Sequence, residues 1–253
     1  MDDAGQDKPV CGDLYAKAFM DEKGLQIYQE FKEEINCNVS IVVRHRIIDD
    51  FLREALSATP DLCVVTIGAG FDSRPYRLTG GTWVELDYPE VISHKNKMLP
   101  VSDRVNLLHR IPVDLSSDSF AEKLSSFPFF KSVVFVIEGV FIYLDQDQIR
   151  RMLAVLHALF PHHKLICDLV TSDAVEHFGR TLSEKINRMG ASFKTIENPK
   201  TVFITNGYRL ERTISIIDRA VDFFETMAFP RFMLKCFLMP VAHSNAIYFF
   251  ESH

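Results

Sequence analysis

The sequence of 253 residues has few of the features that mark nucleic-acid-binding or membrane proteins. Its 28 Lys and Arg residues are outnumbered by 34 Asp and Glu residues, and no basic stripe is present. This argues against a nucleic-acid partner, because phosphate binding needs clustered cations. The most apolar stretch, SVVFVIEGVFIYL, is too short to span a bilayer and carries Glu138 in its middle. The acidic N-terminus lacks a basic start followed by an apolar core, so we expect no signal peptide and no membrane partner.

Cysteine is scarce and scattered along the chain. The five cysteines form no C-x-x-C pair, so the sequence predicts no metal site. The adjacent His162 and His163 are interpreted as solvated residues rather than as metal ligands. An odd number of cysteines without a secretory signal indicates reduced thiols and a cytoplasmic location. Cys63 and Cys167 lie in apolar runs and are interpreted as packing residues.

What the sequence does contain is an alternation of strand-like runs and amphipathic helices. Two helices, at 13–34 and 39–58, are predicted to precede the first strand. Asp145 is predicted to cap a later helix, with Gln148 completing a capping box. A further helix is predicted over SDAVEHFGRTLSEKINRMG, with Gly190 just past its end. The predicted strands include LCVVTI, TWVEL, NLLHRIPV, SVVFVI, KLICDLV, TVFIT and NAIYFFES. This order predicts an α/β fold whose largely parallel sheet is covered on both faces.

Glycines and carboxylates follow the ends of the predicted strands. Gly68 and Gly70 follow the first strand, and Asp87, Asp114 and Glu138 follow three others. We expect a ligand there, because parallel sheets bind ligands beyond the carboxyl ends of their strands. Singly, the glycines could form an ordinary turn, Asp87 could be a turn residue and Asp114 could cap a helix. Glu138 differs, because a charge within an apolar run has to be paired or bound.

The residues around the glycines indicate which nucleotide-like ligand fits. A dinucleotide site needs the third glycine of G-x-G-x-x-G, and Ser73 stands at that position. Asp72 adds a negative charge where a phosphate would lie, and no G-K-S/T of a P-loop is present. A nicotinamide dehydrogenase is therefore disfavoured. A cationic sulfonium ligand without phosphate, such as S-adenosylmethionine, tolerates these carboxylates.

Four segments in order resemble the leucine carboxyl methyltransferase family: VVTIGAGFDSRPYRL, WVELDYPEVISHKNKML, IPVDLSSDSF and VIEGVFIYLDQDQIRRML. That family includes the protein phosphatase methyltransferases and the tetracenomycin-type O-methyltransferases. The similarity runs from about Leu14 to Ile217. It implies a class I methyltransferase fold, which is Rossmann-like, with a mostly parallel seven-stranded sheet and helices on both faces. We interpret 1–253 as one such domain, with 1–58 as an N-terminal helical cover and 59–253 as the core.

The resemblance also implies the cofactor and the reaction. It implies S-adenosylmethionine and an O-methyltransferase whose acceptor is a carboxylate or acidic hydroxyl of a small molecule or peptide. A catalytically silent module that binds S-adenosylmethionine for regulation is the alternative. No His or Cys lies at a strand end beside the glycines, so an acceptor that is already ionised is favoured. A hydroxyl acceptor would need a base, for which Tyr143 and His45 are the nearest candidates.

The site residues are likewise those that the resemblance implies. YAKAF and VVRHRIIDD imply that Lys17 and Arg44 bind the methionine carboxylate. Arg46 is an alternative to Arg44, because His45 replaces the usual small residue between the two arginines. The remaining assignments place Gly68 and Gly70 under the methionine portion, Asp72 and Arg74 as residues that order the turn, Asp87 on the ribose hydroxyls, Asp114 and Leu115 at the adenine edge, and Glu138 and Tyr143 beside the ligand and the methyl-transfer cavity.

A segment rich in Phe and Met, at 223–237, has no motif of its own. It is interpreted as core or packing residues. The alternatives are an apolar lid over the acceptor and a dimer face.

Overall fold

The computed structural model describes residues 2–115, 117, 119–127, 130–223 and 244–253, with the backbone alone at 177 and 178. Of the Phe/Met-rich segment, only Phe223 falls within these residues. Its ring lies under the guanidinium groups of Arg46 and Arg219, at 5.4 Å and 5.0 Å from the ring centroid. The interpretation of 223–237 as core or packing residues, with a lid or a dimer face as alternatives, therefore lies mostly outside the described residues and stays a prediction.

Strands and helices alternate along the described chain. The strands are β1 Cys63–Ile67, β2 Thr82–Asp87, β3 Leu107–Pro112, β4 Val133–Ile137, β5 Lys164–Val170, β6 Tyr208–Ser215 and β7 Asn245–Ser252. The α-helices are α1 Glu22–Phe31, α2 Ile35–Ala58, α3 Arg74–Arg77, α4 Pro89–Met98, α5 Ser119–Ser125, α6 Gln146–Leu159, α7 Ser172–Phe178, α8 Arg180–Arg188, α9 Pro199–Ile204 and α10 Ile216–Phe223. Short 3-10 helices include Leu14–Phe19 and Phe141–Tyr143.

The strands form one seven-stranded sheet in the order β3-β2-β1-β4-β5-β7-β6. Strands β1 to β5 are parallel to one another, whereas β7 pairs antiparallel with both β5 and β6. The strand order reverses between β1 and β4, so the carboxyl ends of these two strands border the crevice in which such sheets bind ligands. The predicted α/β class and the mostly parallel sheet are confirmed.

Both faces of the sheet are covered, as the side chains of β1 and β4 show. In β4, Phe135 packs with the α6 and α9 residues on one face, and Val134 packs with α2 residues on the other. The two faces alternate in the same way along β1. Strands buried on both faces read as continuous apolar runs, which is why LCVVTI and SVVFVI were recognisable as strands. That residues 1–253 form one domain remains a prediction.

Two predicted helices are interrupted. The predicted helix at 13–34 is a 3-10 helix, Leu14–Phe19, followed by α1. The break is stabilised by Asp21, whose side chain accepts a 2.7 Å hydrogen bond from Gly24 N and so caps α1. The helix predicted around 172–190 divides into α7 and α8 at Gly179.

The prediction of a strand at TVFIT is wrong, because these residues belong to α9. Pro199 occupies the first turn of α9, a position that needs no backbone N–H. Val202 and the adjacent Phe203 are both buried, which a strand with alternating faces would not allow against a single core. The edge strand that follows, β6, was not predicted from the sequence. The prediction of a strand at NAIYFFES is confirmed by β7.

Several local predictions are confirmed. Asp145 accepts from Gln148 N, and the Gln148 side chain accepts from Asp145 N, so α6 begins with a capping box. Cys63 and Cys167 are buried in the core.

Among the described residues, no helix has both the length and the apolar character that crossing a membrane requires.

His163 is buried, contrary to the prediction that it is solvated, whereas His162 is exposed. His163 Nδ1 lies 2.6 Å from the carbonyl oxygen of Phe160, and Nε2 lies 2.8 Å from the hydroxyl of Tyr208. A carbonyl only accepts, so Nδ1 carries the proton and Nε2 accepts from Tyr208. Burial lowers the pKa of His163 to about 4, which keeps the ring neutral.

Candidate functional site

A cavity of about 340 Å³ opens at the carboxyl ends of β1 and β4. Its walls come from the turn 68–72 with Glu138, from α2 residues between Ile41 and His45, and from N-terminal residues between Asp3 and Ala16. The cavity therefore lies at the switch in strand order and is covered by the N-terminal part of the chain.

The turn after β1 needs glycine at two positions. Gly68 has φ +70°, and a Cβ there would collide with the side chain of Val140. Gly70 has φ +45°, but a Cβ there would meet nothing within 4 Å. Gly68 N and Ala69 N both donate to the Leu86 carbonyl, at 2.9 Å and 3.1 Å, which ties the turn to the end of β2. The turn thus brings bare backbone to the cavity wall.

Asp87 joins this turn to the loop after β2. Its Oδ2 accepts from Gly70 N at 2.6 Å, and its Oδ1 accepts from Tyr88 N at 2.7 Å. The carboxylate has about four lone-pair sites, so it can still accept hydrogen bonds from a ligand. Asp87 is buried against the turn, which fixes its position.

The charged residues after the glycines form hydrogen bonds within the turn and to its neighbours. Asp72 Oδ1 accepts from Arg74 N at 2.8 Å, and Asp72 Oδ2 accepts from Arg74 Nη1 at 2.8 Å. Arg74 Nε donates to Asp49 Oδ1 on α2 at 2.6 Å. Its Nη1 lies 2.8 Å from Glu138 Oε2. The Arg74 side chain is only 1% exposed, so this guanidinium is a buried tie between the turn, α2 and the end of β4.

Glu138, the charge inside an apolar run, is paired with two arginines. Its Oε1 accepts from Arg44 Nε at 2.9 Å, in addition to the contact with Arg74. Burial raises the pKa of Glu138, but the positive charges, first Arg74 and also Arg44, outweigh this effect and hold the pKa well below its usual range. Glu138 is therefore a permanent carboxylate and not a proton donor at neutral pH.

Arg44 is held between the ends of β4 and β5. Its Nη1 donates to Asp168 Oδ2 at 2.8 Å, and Asp168 Oδ1 accepts from Gly139 N at 2.6 Å. Among the hydrogen bonds of the described residues, Arg44 Nη2 has no acceptor. Arg46, the alternative, instead donates to Asp50 and to the Val10 carbonyl, and it does not line the cavity.

Arg77 joins Arg44 and Arg74 in the same group of charged residues. Arg77 Nη1 donates to Asp49 Oδ2 at 2.6 Å, and the two ring nitrogens of His45 lie 2.8 Å from Arg74 Nη2 and 2.7 Å from Arg77 Nη2. Burial raises the pKa of Asp49, but the arginines outweigh it and lower the pKa to about 2. Cys11, His45 and Asp49 have potential ligand atoms within 4.8 Å of one another. Arginine donors already occupy the Asp49 oxygens and the one acceptor nitrogen that a neutral His45 ring offers, so this cluster does not suit a cation.

The other predicted site residues lie at the border of the cavity or beyond it. Lys17 is exposed on the 3-10 helix Leu14–Phe19 and is not a cavity-lining residue, although Ala16 is. Tyr143 is 37% exposed and packs on Phe193, with ring centroids 5.6 Å apart. Burial raises the pKa of Tyr143, which keeps the phenol protonated at neutral pH.

The two residues predicted at the adenine edge follow β3. Asp114 is exposed, and its carbonyl accepts from Ser117 N at 3.1 Å. Leu115 packs against the core, and its Cδ1 would lie 3.9 Å from a Cβ placed on Gly68. The loop after β3 thus begins next to the glycine turn, on the Asp87 side of the cavity.

Sequence reasoning missed Asp168 and Asp49, although a signal for each was present. Asp168 is a carboxylate within the apolar run KLICDLV, the same pattern that drew attention to Glu138. Asp49 lies on the buried side of α2, between Ile48 and Leu52. A charge on the apolar face of a helix needs a partner just as a charge in a strand does.

The fold is that of known methyltransferase structures. A protein of the duf574 family from Streptomyces avermitilis superposes with a TM-score of 0.61 at 12% identity, over 92% of this chain and 90% of that chain. The magnesium protoporphyrin IX methyltransferase from Synechocystis, solved with bound SAH, gives a TM-score of 0.50 at 19% identity over 85% and 86% of the two chains. These similarities establish an α/β methyltransferase-type fold.

The sequence comparisons are more specific. The family model for leucine carboxyl methyltransferase matches residues 2–157. The chain therefore belongs to the leucine carboxyl methyltransferase family.

Relatives in bacteria cover different shares of the chain. A protein of Mycolicibacterium gilvum, provisionally named an S-adenosyl-L-methionine-dependent methyltransferase, is 32% identical over 60% of this chain and 53% of its own length. The tetracenomycin polyketide synthesis O-methyltransferase of Streptomyces glaucescens is 23% identical over 85% of this chain and 78% of its own length. The chain thus matches about half the length of the Mycolicibacterium relative.

Proposed function

We propose that this protein is an S-adenosylmethionine-dependent O-methyltransferase. The observation that carries the proposal is the cavity between the glycine turn, Arg44 and Glu138 at the switch in strand order. Class I methyltransferase relatives and family membership support it.

The charge of the site suits a cationic ligand without phosphate. The residues that line the cavity include four carboxylates and one arginine, namely Asp3, Asp13, Asp72 and Glu138 with Arg44. The ion-pair network around them holds seven carboxylates and six arginines, an excess of one negative charge when His45 is neutral. Such a potential favours a sulfonium and an ammonium group and opposes a pyrophosphate. The site therefore favours S-adenosylmethionine over a dinucleotide.

Each part of the ligand has a proposed partner. Arg44 Nη2, which has no acceptor among the described residues, would bind the methionine carboxylate together with the exposed Lys17. The backbone of Gly68 and Gly70 would lie under the methionine portion. Asp87, which already holds the turn, would accept the ribose hydroxyls. Asp114 and Leu115 would border the adenine.

When bound, S-adenosylmethionine would supply the methyl group for an acceptor oxygen, and the electron pair of the C–S bond would stay on sulfur. The described residues contribute alignment and exclusion of water rather than proton transfer. Glu138 and Asp72, fixed by arginines, keep a negative field beside the sulfonium. Tyr143 is proposed to border the acceptor side.

The acceptor class follows from the absence of an available base. Within the described part of the cavity, arginines lower the pKa values of Glu138 and Asp72, which makes these carboxylates weak bases, and both ring nitrogens of His45 face arginine donors. Burial, followed by the charge of Asp49, raises the pKa of Cys11 to about 12, so this thiol is not a base at neutral pH. A carboxylate acceptor needs no base, because it is ionised at neutral pH. We therefore propose a carboxylate or an already acidic hydroxyl of a small molecule or peptide.

The same observation keeps a second candidate open, a module that binds S-adenosylmethionine for regulation without turnover. A site without an available base is compatible with both functions. The two differ in whether a methyl group leaves the cofactor when acceptors are supplied.

Calorimetry with S-adenosylmethionine, S-adenosylhomocysteine, NAD and ATP tests the ligand. We expect the first two to bind and the phosphate-bearing ligands not to bind. A methyl-release assay with carboxylate, phenol and alcohol acceptors then tests the reaction, and carboxylates are expected to be methylated with little dependence on pH between about 6 and 8.5. Binding without release for any acceptor would favour the regulatory module. Binding of NAD in preference to S-adenosylmethionine would refute both candidates.

A further inference from the structure

A buried lysine reaches the glycine turn from the far side of the cavity wall. Lys95 lies on α4, the helix that follows Asp87, and its side chain is 0% exposed. Its Nζ donates to Glu85 Oε1 on β2 at 2.7 Å and lies 3.5 Å from the carbonyl oxygen of Ala69. A lysine with no exposed surface needs a reason to be kept, because burying an ammonium group is costly.

Pairing with Glu85 alone does not explain Lys95. Glu85 is also fully buried, and its Oε2 accepts from Arg110 Nε at 2.8 Å. Glu85 is therefore already neutralised by Arg110, and Lys95 brings an extra positive charge into the interior. Arg110 does not depend on Lys95, because its other nitrogens donate to Asn96, to the Leu99 carbonyl and to the Tyr76 hydroxyl.

The ammonium group of Lys95 faces the glycine turn. The Ala69 carbonyl and the Gly70 N–H belong to the same peptide unit, and in a trans peptide they point in opposite directions. Asp87 Oδ2 accepts from the N–H side at 2.6 Å, and Lys95 Nζ approaches the carbonyl side, where Asp72 N also donates at 2.9 Å. One rigid unit of the turn is thus held from both sides by side chains of opposite charge.

The charge of Lys95 also affects the pKa of Asp72, further along the turn. Burial raises the pKa of Asp72, but Arg74, the largest opposing influence, lowers it, and Lys95 adds to that lowering. Lys95 therefore influences both the backbone of the turn and the carboxylate that orders it.

We infer that Lys95 is a positioning residue, which holds the Ala69–Gly70 peptide in the orientation that the cofactor requires. The inference rests on the proposed function, because it assumes that the turn carries S-adenosylmethionine. Lys95 does not contact the cavity itself, so its effect passes through the backbone of the turn.

The test compares Lys95→Met with Lys97→Met, which is the same substitution at an exposed position of the same helix. Lys95→Met fills the space with an unbranched apolar chain and leaves Glu85 paired with Arg110. We expect its melting temperature to change little. We expect its affinity for S-adenosylmethionine and for S-adenosylhomocysteine to fall in parallel by about tenfold or more. Lys97→Met should match the wild type in all respects.

A readout independent of ligand comes from amide exchange. Selective ¹⁵N-glycine labelling gives at most 11 glycine signals. The Gly70 amide, protected by Asp87 in the wild type, should exchange faster in Lys95→Met, while the Gly80 amide, which donates to Asn106 Oδ1 at 2.8 Å, keeps its rate. A purely structural ion pair would instead lower the melting temperature and leave the ratio of these two rates unchanged.

The outcomes separate the inference from the function on which it rests. If the wild type binds neither ligand, the proposed function fails. If the wild type binds both and Lys95→Met binds them equally well, with unchanged Gly70 exchange, the inference is overturned. If Lys95→Met does not fold, Lys95→Gln keeps a donor near Glu85 but is too short to reach Ala69 as well, and the same binding and exchange criteria apply to it.

Discussion

Acidification is expected to destabilise the protein through His163. In the folded state, burial lowers the pKa of this imidazole to about 4 from the ordinary value of 6.5. Between these two values the unfolded chain binds a proton that the folded chain does not. Stability is therefore independent of this group above pH 6.5 and falls as the pH decreases from 6.5 towards 4. The pKa difference corresponds to a total of about 3 kcal/mol.

Geometry explains why the folded state resists the proton. Nε2 accepts from the Tyr208 hydroxyl, and Nδ1 already donates to the Phe160 carbonyl, so a second ring proton would face a hydroxyl that must turn away. Urea denaturation between pH 4.5 and 7, followed by fluorescence of Trp83, which is buried and the only tryptophan, measures the effect. His163→Gln should remove about 1.4 kcal/mol per pH unit from the slope, whereas the exposed His162→Gln should not. Equal slopes in all three proteins would refute the argument.

Four further substitutions test the site and the fold. Asp87→Asn should weaken S-adenosylmethionine binding by about 1.5–3 kcal/mol in calorimetry. The NH2 of the new amide would face a backbone N–H that Asp87 now accepts from, and the side chain would offer the ribose one acceptor fewer. Unchanged affinity would contradict the assignment. Gly68→Ala should cost about 1–3 kcal/mol of unfolding free energy, because it combines positive φ with a collision with Val140. Gly70→Ala should cost less, since its Cβ would face open space, and the reverse order in urea titrations would count against the turn geometry. Asp145→Ala should cost about 1 kcal/mol by removing the cap of α6, and a melting temperature equal to that of the wild type would argue against the capping box.

The sequence predicted the sheet well because most strands are buried on both faces. A continuous apolar run bounded by turn residues has few other interpretations, and β1, β4 and β5 are of this kind. TVFIT has the same composition over a shorter length, and periodicity does not separate a short buried strand from a short buried helix. Pro199 just before it was the signal for the helix.

Part of the site was predictable for a similar reason. Glu138 had to be paired, and the structure pairs it with Arg44 and Arg74. The partners across the network were not predictable from spacing. Arg44 and Asp168 are 124 residues apart, Asp49 and Arg74 are 25 apart, and both pairs form only when α2 packs on the sheet. The burial of Lys95 was not predictable, because α4 carries a second lysine, Lys97, and an exposed side chain is the default expectation for lysine.

The strand order has a consequence for how the chain acquires its shape during synthesis. Among the described strands, β7 is the last along the chain, yet it lies between β5 and β6, and β6 pairs with no other described strand. Until residues 245–252 have left the ribosome, β5 presents an open edge of backbone amides and carbonyls, and β6 has nothing to join. Nascent chains that end before residue 245 are therefore expected to be aggregation-prone and to need protection by a chaperone. The finished sheet closes in one late step, in which a single strand forms two sets of backbone hydrogen bonds.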